Sequence, residues 1–361
     1  MKKVLFLAMN LGSGGAERQM VTIACLLKTR GFDVSFVCYE EGDFYLDQLQ
    51  RNGINVTWQI KKGIYRLLSF RRFIREGRYD AVISFLETPN ILNCFAAYGT
   101  HHWKVVVGER SSKTEHMTSR RGRITAFLMK KCDFLVCNSN NAANMWSNYH
   151  PEFKERIRVI YNLVNINRDE ISTLKSHNFL TKERIRIVVA ASYQYLKNPI
   201  NVIRALLLLT EEERSKIEIF WFGNPSVKPS AYKESITLVL DNHLEDCVKL
   251  QQPIKDIHTQ MSLANYVGLF SSVEGLPNAI CEAMMIGRPI IMSKVSDYKT
   301  LVNNNGFLCD GNDPESIADT FRKIINTDVN QEEIMGVESR KIAELLFSKE
   351  IILRQWESIL L

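Results

Sequence analysis

Long apolar runs are scarce in this sequence, and none reaches the roughly 18 consecutive apolar residues of a membrane-spanning helix. The N-terminal run Val4–Met9 is short and leads into a polar, glycine-rich stretch without a clear cleavage site, so it predicts a first strand and not a signal peptide. The eight cysteines form no C-x-x-C pair, the seven histidines form no H-E-x-x-H motif, and no strong Asp-x-Asp motif is present. We therefore expect a reduced, cytoplasmic protein that requires neither a metal nor another cofactor.

The chain has 361 residues, more than the roughly 250–300 at which a single hydrophobic core stops growing, so two domains are expected. Its net charge of +6 is unevenly distributed. Residues 1–170 carry 25 basic and 16 acidic side chains, whereas residues 171–361 carry 21 basic and 24 acidic ones. A basic first half and a mildly acidic second half predict two units with different partners.

Short and nearly continuous apolar runs alternate with helical segments such as Ala16–Thr29, which is typical of parallel strands covered on both faces. In the first half these runs are Val4–Ala8, Val34–Cys38, Val56–Ile60, Ala81–Phe85, Val105–Gly108 and Phe134–Cys137. In the second half they are Arg186–Ala191, Ile217–Phe222, Cys247–Leu250, Tyr266–Ser271, Pro289–Met292 and Gly306–Cys309. The pattern predicts an α/β protein with two Rossmann-like, doubly wound parallel-sheet domains.

The alternation of predicted strands and helices is interrupted near the middle of the chain. The segment from Asn162 to about Thr181 is polar there and predicts a linker. We expect an N-terminal domain of residues 1–165 and a C-terminal domain of residues 166–347. The last helical segment, Ser348–Leu361, is too apolar for a free tail, and the N-terminal domain is the candidate surface for it. Two such domains imply a central cleft, because ligands bind beyond the carboxyl ends of parallel strands.

The most informative run follows a predicted strand and reads E-G-L-P-N-A-I-C-E from Glu274 to Glu282. Glu274 falls in the loop after the strand, and Glu282 falls about a turn and a half into the helix that begins near Pro277. Backbone N–H groups around Gly275–Ala279 are available to an anion at the start of this helix. A carboxylate on each side of such a site suits a nucleotide-sugar, whose hydroxyls donate hydrogen bonds. The alternative is an acidic helix start that only complements the helix dipole.

A second glycine-rich stretch, Gly12–Arg18, follows the first predicted strand and precedes a helix. Gly12, Gly14 and Gly15 permit positive φ and a close approach of the backbone to a ligand. The stretch is not a dinucleotide fingerprint, since the third glycine of G-x-G-x-x-G would fall at Glu17. A tight structural turn is the alternative interpretation.

These motifs together resemble the retaining nucleotide-sugar glycosyltransferases of the GT-B fold, of the bacterial family 4 and group 1 type. The similarity rests on E-G-L-P-x4-E-A-M-x2-G-x-P from Glu274 to Pro289, and on the glycine loop at the N-terminus. Lys197-Asn198 is similar to the family's phosphate-contacting lysine, and the stretch Asn303–Asp310 is similar to the one that follows its donor site. These pieces span almost the whole chain in the expected order.

The resemblance implies a role for each matching residue. Glu274 would contact the transferred sugar and Glu282 the ribose hydroxyls, while Lys197 would neutralise the departing diphosphate. Gly14, Gly15, Gly275, Leu276, Pro277, Asn278 and Ala279 would line the donor site. Taken without this context, Lys197 is more simply a solvated loop lysine.

One position departs from the family pattern. Many relatives have an arginine five residues before the lysine, where this chain has Ser192, and no arginine lies between Arg186 and Arg204. Either another basic side chain substitutes for it, with Arg288 and Lys294 as candidates, or the diphosphate is held more weakly.

Basic residues in the first half form two clusters. Lys61–Arg78 contains seven basic residues against one acid, interleaved with apolar ones, which predicts an amphipathic helix suited to an anionic membrane surface. Lys113–Lys131 adds six more. A solvated helix face is the alternative for each cluster, and no nucleic-acid recognition motif accompanies the charge. Arg110 and His116 are candidate cleft residues that could contact donor or acceptor, or simply lie at the surface.

The sequence therefore predicts a glycosyltransferase that moves a sugar from a nucleotide-diphosphate sugar, with UDP-sugars favoured, to a glycan or lipid-linked oligosaccharide. Retention of configuration and a place in bacterial surface polysaccharide or glycan synthesis are what the resemblance implies. The expected location is the cytoplasm, with peripheral contact to the inner face of the membrane. Three alternatives remain open: a sugar-nucleotide epimerase on the same fold, a dehydrogenase with two Rossmann domains, and a catalytically silent nucleotide-sugar-binding partner of a glycan-assembly complex.

Overall fold

The computed structural model describes residues 1–111, 114–164, 166 and 184–361, with the side chains of Glu115 and His116 outside that description. The chain divides into two compact units. The first unit comprises Met1–Leu163 and Lys349–Leu361, and the second comprises Val164–Ser348. Most of the predicted linker, residues 162–181, lies outside the described residues.

The first unit is built on a parallel sheet of seven strands in the order β3-β2-β1-β4-β5-β6-β7. These strands are β1 (Lys3–Ala8), β2 (Asp33–Cys38), β3 (Asn55–Trp58), β4 (Ala81–Phe85), β5 (Lys104–Glu109), β6 (Phe134–Cys137) and β7 (Ile157–Val159). The central strand β4 is buried along its whole length, and β1 is buried after its first residue, because helices cover both faces. The helices are α1 (Gly15–Thr29), α2 (Leu46–Arg51), α3 (Gly63–Glu76), α4 (Glu87–Ala96), α5 (Glu115–Thr118), α6 (Arg120–Met129) and α7 (Asn140–Tyr149).

The second unit repeats this arrangement with six parallel strands in the order β10-β9-β8-β11-β12-β13. They are β8 (Ile185–Ala190), β9 (Ile217–Phe222), β10 (Val248–Gln251), β11 (Tyr266–Leu269), β12 (Ile290–Ser293) and β13 (Gly306–Cys309). The helices are α8 (Pro199–Leu207), α9 (Glu211–Ser215), α10 (Pro229–Asp241), α11 (Ile257–Ser262), α12 (Asn278–Ile286), α13 (Tyr298–Leu301), α14 (Pro314–Ile325) and α15 (Val329–Phe347). Proline occupies the first turn of α8, α10 and α14, where its missing N–H costs nothing.

The last helix, α16 (Lys349–Leu360), belongs to the first unit. Its Trp356 is buried, with its ring centroid 6.1 Å from that of Phe85. Arg30 donates to both carboxylate oxygens of Glu350 at 2.9 and 2.8 Å, which links the end of α1 to the start of α16. Burial of one apolar face, which includes Trp356, explains why the C-terminal segment is helical and packed.

The predicted fold class is confirmed, since both units are Rossmann-like parallel sheets covered by helices. The bounds of β4, β6, β9 and β13 agree with the predicted runs. The strand β7 was not predicted, because its three residues Ile157–Val159 are only partly buried and include an arginine. Among helices of the described residues, none is both long enough and apolar enough to span a bilayer.

Candidate active site

An ion pair between Lys197 and Glu274 lies at the carboxyl edge of the sheet in the second unit. Glu274 follows β11, and its Oε1 accepts hydrogen bonds from Lys197 Nζ and, at 2.6 Å, from the buried hydroxyl of Ser271. The side chains of Lys197 and Glu274 are only 19% and 13% exposed, so solvent screens the pair weakly. The structure thus brings together the two residues to which the family resemblance gives catalytic roles.

Lys197 is held in place by the loop that joins β8 to α8. It ends a short 3-10 helix, and Asn198 after it adopts a left-handed conformation (φ 58°), which asparagine tolerates. The Asn198 amide donates to Phe270 O at 2.8 Å, and Ser272 N donates to Leu196 O at 2.8 Å. The loops after β8 and β11 are therefore hydrogen-bonded to each other, and these bonds hold the Lys197 ammonium close to the Glu274 carboxylate.

Of the predicted donor-binding residues, Gly275, Leu276 and Pro277 form the turn that leads into α12, and Asn278 and Ala279 are the first two residues of that helix. The carbonyl of Gly275 accepts a hydrogen bond from Ser296, which follows β12. Leu276 and Pro277 are buried, and Pro277 immediately precedes the first residue of the helix. The positive end of the α12 dipole, together with its first N–H groups, therefore lies beside the Lys197–Glu274 pair and favours an anion.

Glu282 is the fifth residue of α12, and its side chain is 12% exposed. Its Oε2 lies 3.4 Å from Nε2 of His258, which is on α11. Two carboxylates and one lysine thus surround the start of one helix. Sequence reasoning missed His258, Ser271 and the anchoring role of Asn198, because none of them belongs to a pattern with a chemical signature.

The two candidates for the missing arginine at Ser192 lie at opposite edges of the sheet. Arg288 precedes β12, at the amino edge, and is 4% exposed; burial lowers its pKa to about 10, against the opposing effect of Glu332. Arg288 is therefore a packing residue away from Glu274. Lys294 directly follows β12 at the carboxyl edge and is exposed, two residues before the Ser296 contact to the Gly275 loop.

Gly14, Gly15, Arg110 and His116 are in the first unit. Gly14 caps α1 with φ −68°, so it does not use the positive φ that glycine permits. The Glu17 carboxylate occupies the space where a Gly14 side chain would lie. Gly15 is the first residue of α1. Arg110 follows β5, and its guanidinium lies 3.6 Å from the centroid of the Phe85 ring. His116 is in α5, but its side chain lies outside the described residues.

The predicted basic helix is α3, but only part of its charge is available to a partner. Arg71 and Arg75 donate to carbonyls at the end of α4, at 3.0 Å for Phe95 and 2.7 Å for Tyr98. Arg66 stacks on Tyr39. Arg72 donates to Glu76 one turn further along at 2.8 Å. The exposed side chains of the cluster are Lys61 and Lys62 just before the helix, Ile64, Tyr65, Leu68, Arg72 and Glu76 on it, and Arg78 after it. In the second cluster, Lys113 lies outside the described residues, and α6 exposes Ile124 and Phe127 among its arginines.

No group of three or more His, Cys, Asp or Glu side chains that could hold a metal ion occurs in the part of the chain that the structure describes. All eight cysteines are free. The expectation that catalysis needs no metal stays a prediction.

Two family models match the chain in tandem. Residues 13–168 match Glycosyltransferase Family 4, and residues 170–342 match Glycosyl transferases group 1. The two matches correspond closely to the two units of the fold.

Relatives of similar length are found among bacterial sugar transferases. The chain is 24% identical to a Campylobacter jejuni protein named GalNAc-α-(1→4)-GalNAc-α-(1→3)-diNAcBac-PP-undecaprenol α-1,4-N-acetyl-D-galactosaminyltransferase, over 93% of this chain and 92% of the relative. It is 22% identical to the capsular polysaccharide biosynthesis glycosyltransferase CapH of Staphylococcus aureus, over 90% and 91% of the two chains.

Solved structures agree with this fold along the entire chain. HepE of Anabaena in complex with UDP-glucose aligns with a TM-score of 0.82 at 19% identity, covering 100% of this chain and 99% of that one. Sucrose-phosphate synthase of Thermosynechococcus elongatus aligns with a TM-score of 0.75 at 14% identity, covering 99% and 98%. At these identities the likeness shows the fold alone.

Proposed function

The chain is a GT-B glycosyltransferase that joins a Glycosyltransferase Family 4 domain to a group 1 domain, and from this premise we propose its reaction. It transfers a sugar from a nucleotide-diphosphate sugar, with a UDP-sugar as the expected donor, to a glycan or lipid-linked oligosaccharide with retention of configuration. The observation that carries this proposal is the Lys197–Glu274 pair beside the start of α12, with Glu282 one turn further along.

The chemistry follows from where charge develops when the bond between sugar and diphosphate breaks. The leaving diphosphate gains negative charge, and Lys197 together with the N-terminus of α12 stabilises it without requiring a metal. Glu274 accepts hydrogen bonds from hydroxyls of the transferred sugar, and Glu282 from those of the ribose. Lys294 supplies additional positive charge at the carboxyl edge of the sheet, where this chain has Ser192 in place of the family's arginine.

Retention is explained by attack of the acceptor on the same face of the sugar that the diphosphate leaves. In that geometry the departing phosphate itself takes the proton of the acceptor hydroxyl, so no side-chain base is needed. This mechanism is the one that the family resemblance implies.

A lipid-linked acceptor is supported by the name of the Campylobacter relative, and capsule or related polysaccharide synthesis by that of CapH. The outward face of α3 supports peripheral contact with an anionic membrane at its inner, cytoplasmic side. Ile64, Tyr65 and Leu68 are 58%, 73% and 53% exposed beside Lys61 and Lys62. Exposed apolar residues among lysines suit the interface of a bilayer better than bulk water.

The experiment that tests the donor is a thermal-shift panel of nucleotide-diphosphate sugars, because a bound ligand stabilises the folded protein by mass action. The stabilising member is then incubated with membrane extracts, and NMR of the product reports the anomeric configuration. We expect a UDP-sugar to stabilise the protein and the α-anomeric configuration of the donor to be kept. Conversion of the donor to an isomer without an acceptor would identify an epimerase, and inversion would overturn the proposed mechanism.

A further inference from the structure

The imidazole of His258 faces the carboxylate of Glu282 between two neighbouring helices of the second unit. His258 is the second residue of α11, and its Nε2 lies 3.4 Å from Oε2 of Glu282 on α12. The imidazole side chain is 30% exposed and the glutamate side chain 12% exposed. With its proton on Nε2, the imidazole donates a hydrogen bond to that oxygen. Glu282 therefore has a donor from a different element of the fold.

The helix α11 holds His258 in a fixed place. The Asp256 side chain caps the helix by accepting a hydrogen bond from a backbone N–H of its first turn at 3.2 Å. Further along, Met261 is fully buried, and Gln260 accepts from Arg186 of β8 at 2.6 Å. His258 is therefore presented to α12 by a helix that is both capped and attached to the sheet.

The backbone of Glu282 is also fixed, and only its side chain remains to be ordered. Cys281 and Ala283 on either side of it are fully buried, where α12 packs against α11 and α15. A glutamate side chain has several rotatable bonds, and ordering them at the moment of binding costs affinity. A donor that already holds one carboxylate oxygen removes part of that cost. The position of His258 thus suits a residue that orients Glu282 before the nucleotide arrives.

Each of the two carboxylates at the candidate site has a basic partner from another segment of the chain. Lys197 bonds to Glu274, and His258 bonds to Glu282. Two carboxylates without such partners would repel the diphosphate that the start of α12 is suited to hold. A carboxylate has about four acceptor positions, so a hydrogen bond from His258 is compatible with ribose hydroxyls that donate to the same group.

We propose that His258 is a positioning residue that orients Glu282 toward the ribose, and that this pair makes the site select ribonucleotides over nucleotides without ribose hydroxyls. His258 acts through Glu282 and does not itself contact the nucleotide. The inference rests on the proposed function, because that function makes Glu282 the ribose contact. A His258 that only stabilises the packing of α11 on α12 would affect stability and leave this selectivity unchanged.

The test is calorimetry of the full chain with UDP and with 2′,3′-dideoxyuridine diphosphate, because the ratio of the two affinities measures the contact with the ribose hydroxyls. The variants are His258→Asn and His258→Gln. Glutamine carries an amide N–H at about the reach of the imidazole Nε2, whereas the asparagine side chain is shorter. The matched control is His243→Asn, since His243 is exposed, precedes β10 at the amino edge of the sheet and has φ 53°, which asparagine tolerates.

The loss of one orienting hydrogen bond should weaken UDP binding by His258→Asn about 3- to 10-fold and leave binding of the dideoxy analogue unchanged. His258→Gln should keep most of the UDP affinity, and His243→Asn should match the wild type. Combining His258→Asn with Glu282→Ala should weaken UDP no more than Glu282→Ala alone, because a positioning residue has no effect once the residue that it positions is absent.

Three outcomes would overturn the inference. They are unchanged UDP affinity in folded His258→Asn, an equal loss of affinity for both nucleotides, and additive losses in the double variant, which would make His258 a direct contact. Thermal melts verify folding, and His258→Ser replaces His258→Asn if that variant unfolds.

The wild type separates this inference from the proposed function. A wild type that binds neither nucleotide, or binds both equally, contradicts the ribose contact of the proposed function and this inference with it. A wild type that prefers UDP, together with a His258→Asn variant that keeps the full preference, contradicts this inference alone.

Discussion

Lys197 and Glu274 form an ion pair although 77 positions separate them in the sequence. A diphosphate that takes Lys197 as its counterion has to compete with Glu274, because both are anions. Glu274 therefore has two effects of opposite sign in the proposed reaction. It favours the transferred sugar through its hydroxyls, and it weakens the hold of Lys197 on a nucleotide diphosphate that carries no sugar.

The first prediction concerns Glu274→Gln, which keeps the size of the side chain and removes its charge. We expect the transfer rate to fall about 100-fold or more, as when a transition-state contact is lost, while UDP binds as tightly as in the wild type or more tightly. The rate is measured by UDP release with acceptor present, and affinity by calorimetry. Glu245→Gln, an exposed residue of the second unit, is the matched control. Turnover of Glu274→Gln close to that of the wild type would contradict this role of Glu274. A loss of UDP affinity that accompanies the loss of turnover would contradict it as well.

The second prediction concerns Lys197→Ala. Since a charge-assisted hydrogen bond contributes about 1.5–3 kcal/mol, UDP should bind about 10- to 100-fold more weakly. Uridine has no diphosphate and should bind as it does to the wild type. Calorimetry with both ligands measures the difference, and a thermal melt verifies that the variant is folded. An equal loss of affinity for uridine would mean that Lys197 shapes the site and does not contact the diphosphate.

The strands could be predicted from sequence because burial on both faces leaves a simple signal. Ala81–Phe85 and Ile217–Phe222 are apolar nearly throughout, and a run of that length between helical segments has few other interpretations. Ile157–Val159 carries no such signal, since it is short and partly exposed at the edge of the sheet.

The candidate site could be predicted only in part. The spacing of Glu274 and Glu282 assigned one carboxylate to a loop and one to a helix, and both positions agree with the structure. The pairing of Lys197 with Glu274, and of His258 with Glu282, depends on which loops meet at the carboxyl edge, and that is a property of strand order. The sequence alone makes Arg288 a candidate for the diphosphate, because distance along the chain does not distinguish one edge of the sheet from the other.

The third prediction concerns Glu282→Ala. If Glu282 accepts from the ribose hydroxyls, its loss should weaken UDP about tenfold and leave 2′,3′-dideoxyuridine diphosphate unaffected, because that ligand has no hydroxyls to donate. The measurement is a pair of calorimetric titrations on each protein. Glu333→Ala, exposed on α15, serves as the control. Equal weakening of both ligands would contradict a ribose contact.

The fourth prediction concerns the outward face of α3. Reversing Lys61, Lys62 and Arg72 to Glu should detach the protein from anionic vesicles, since each basic residue near such a surface contributes about 1 kcal/mol. Flotation with phosphatidylglycerol vesicles measures the bound fraction. Arg71 and Arg75 are left unchanged because they donate to carbonyls at the end of α4, and their reversal would disturb the fold.

The matched control for this surface reverses the exposed Lys228, Lys233 and Lys323 of the second unit, which changes the net charge equally. We expect this control to float like the wild type. Equal loss of binding in both triple variants would assign the effect to overall charge. Undiminished binding of the α3 variant would favour a solvated helix face.

The fifth prediction separates packing from catalysis at Arg288. This guanidinium is 4% exposed and interacts with Glu332, which is 2% exposed, where α12 packs against α15. Arg288→Met removes the cation and leaves the Glu332 charge buried, so the free energy of unfolding should fall by about 3–5 kcal/mol. Urea denaturation measures that loss.

UDP affinity under conditions where the Arg288→Met variant remains folded should be unchanged, because Arg288 lies at the edge of the sheet opposite Glu274. Adding Glu332→Gln should restore part of the stability, since the uncompensated charge is then removed. A folded Arg288→Met protein with normal stability and weakened UDP binding would instead make Arg288 the substitute for the arginine that is missing at Ser192.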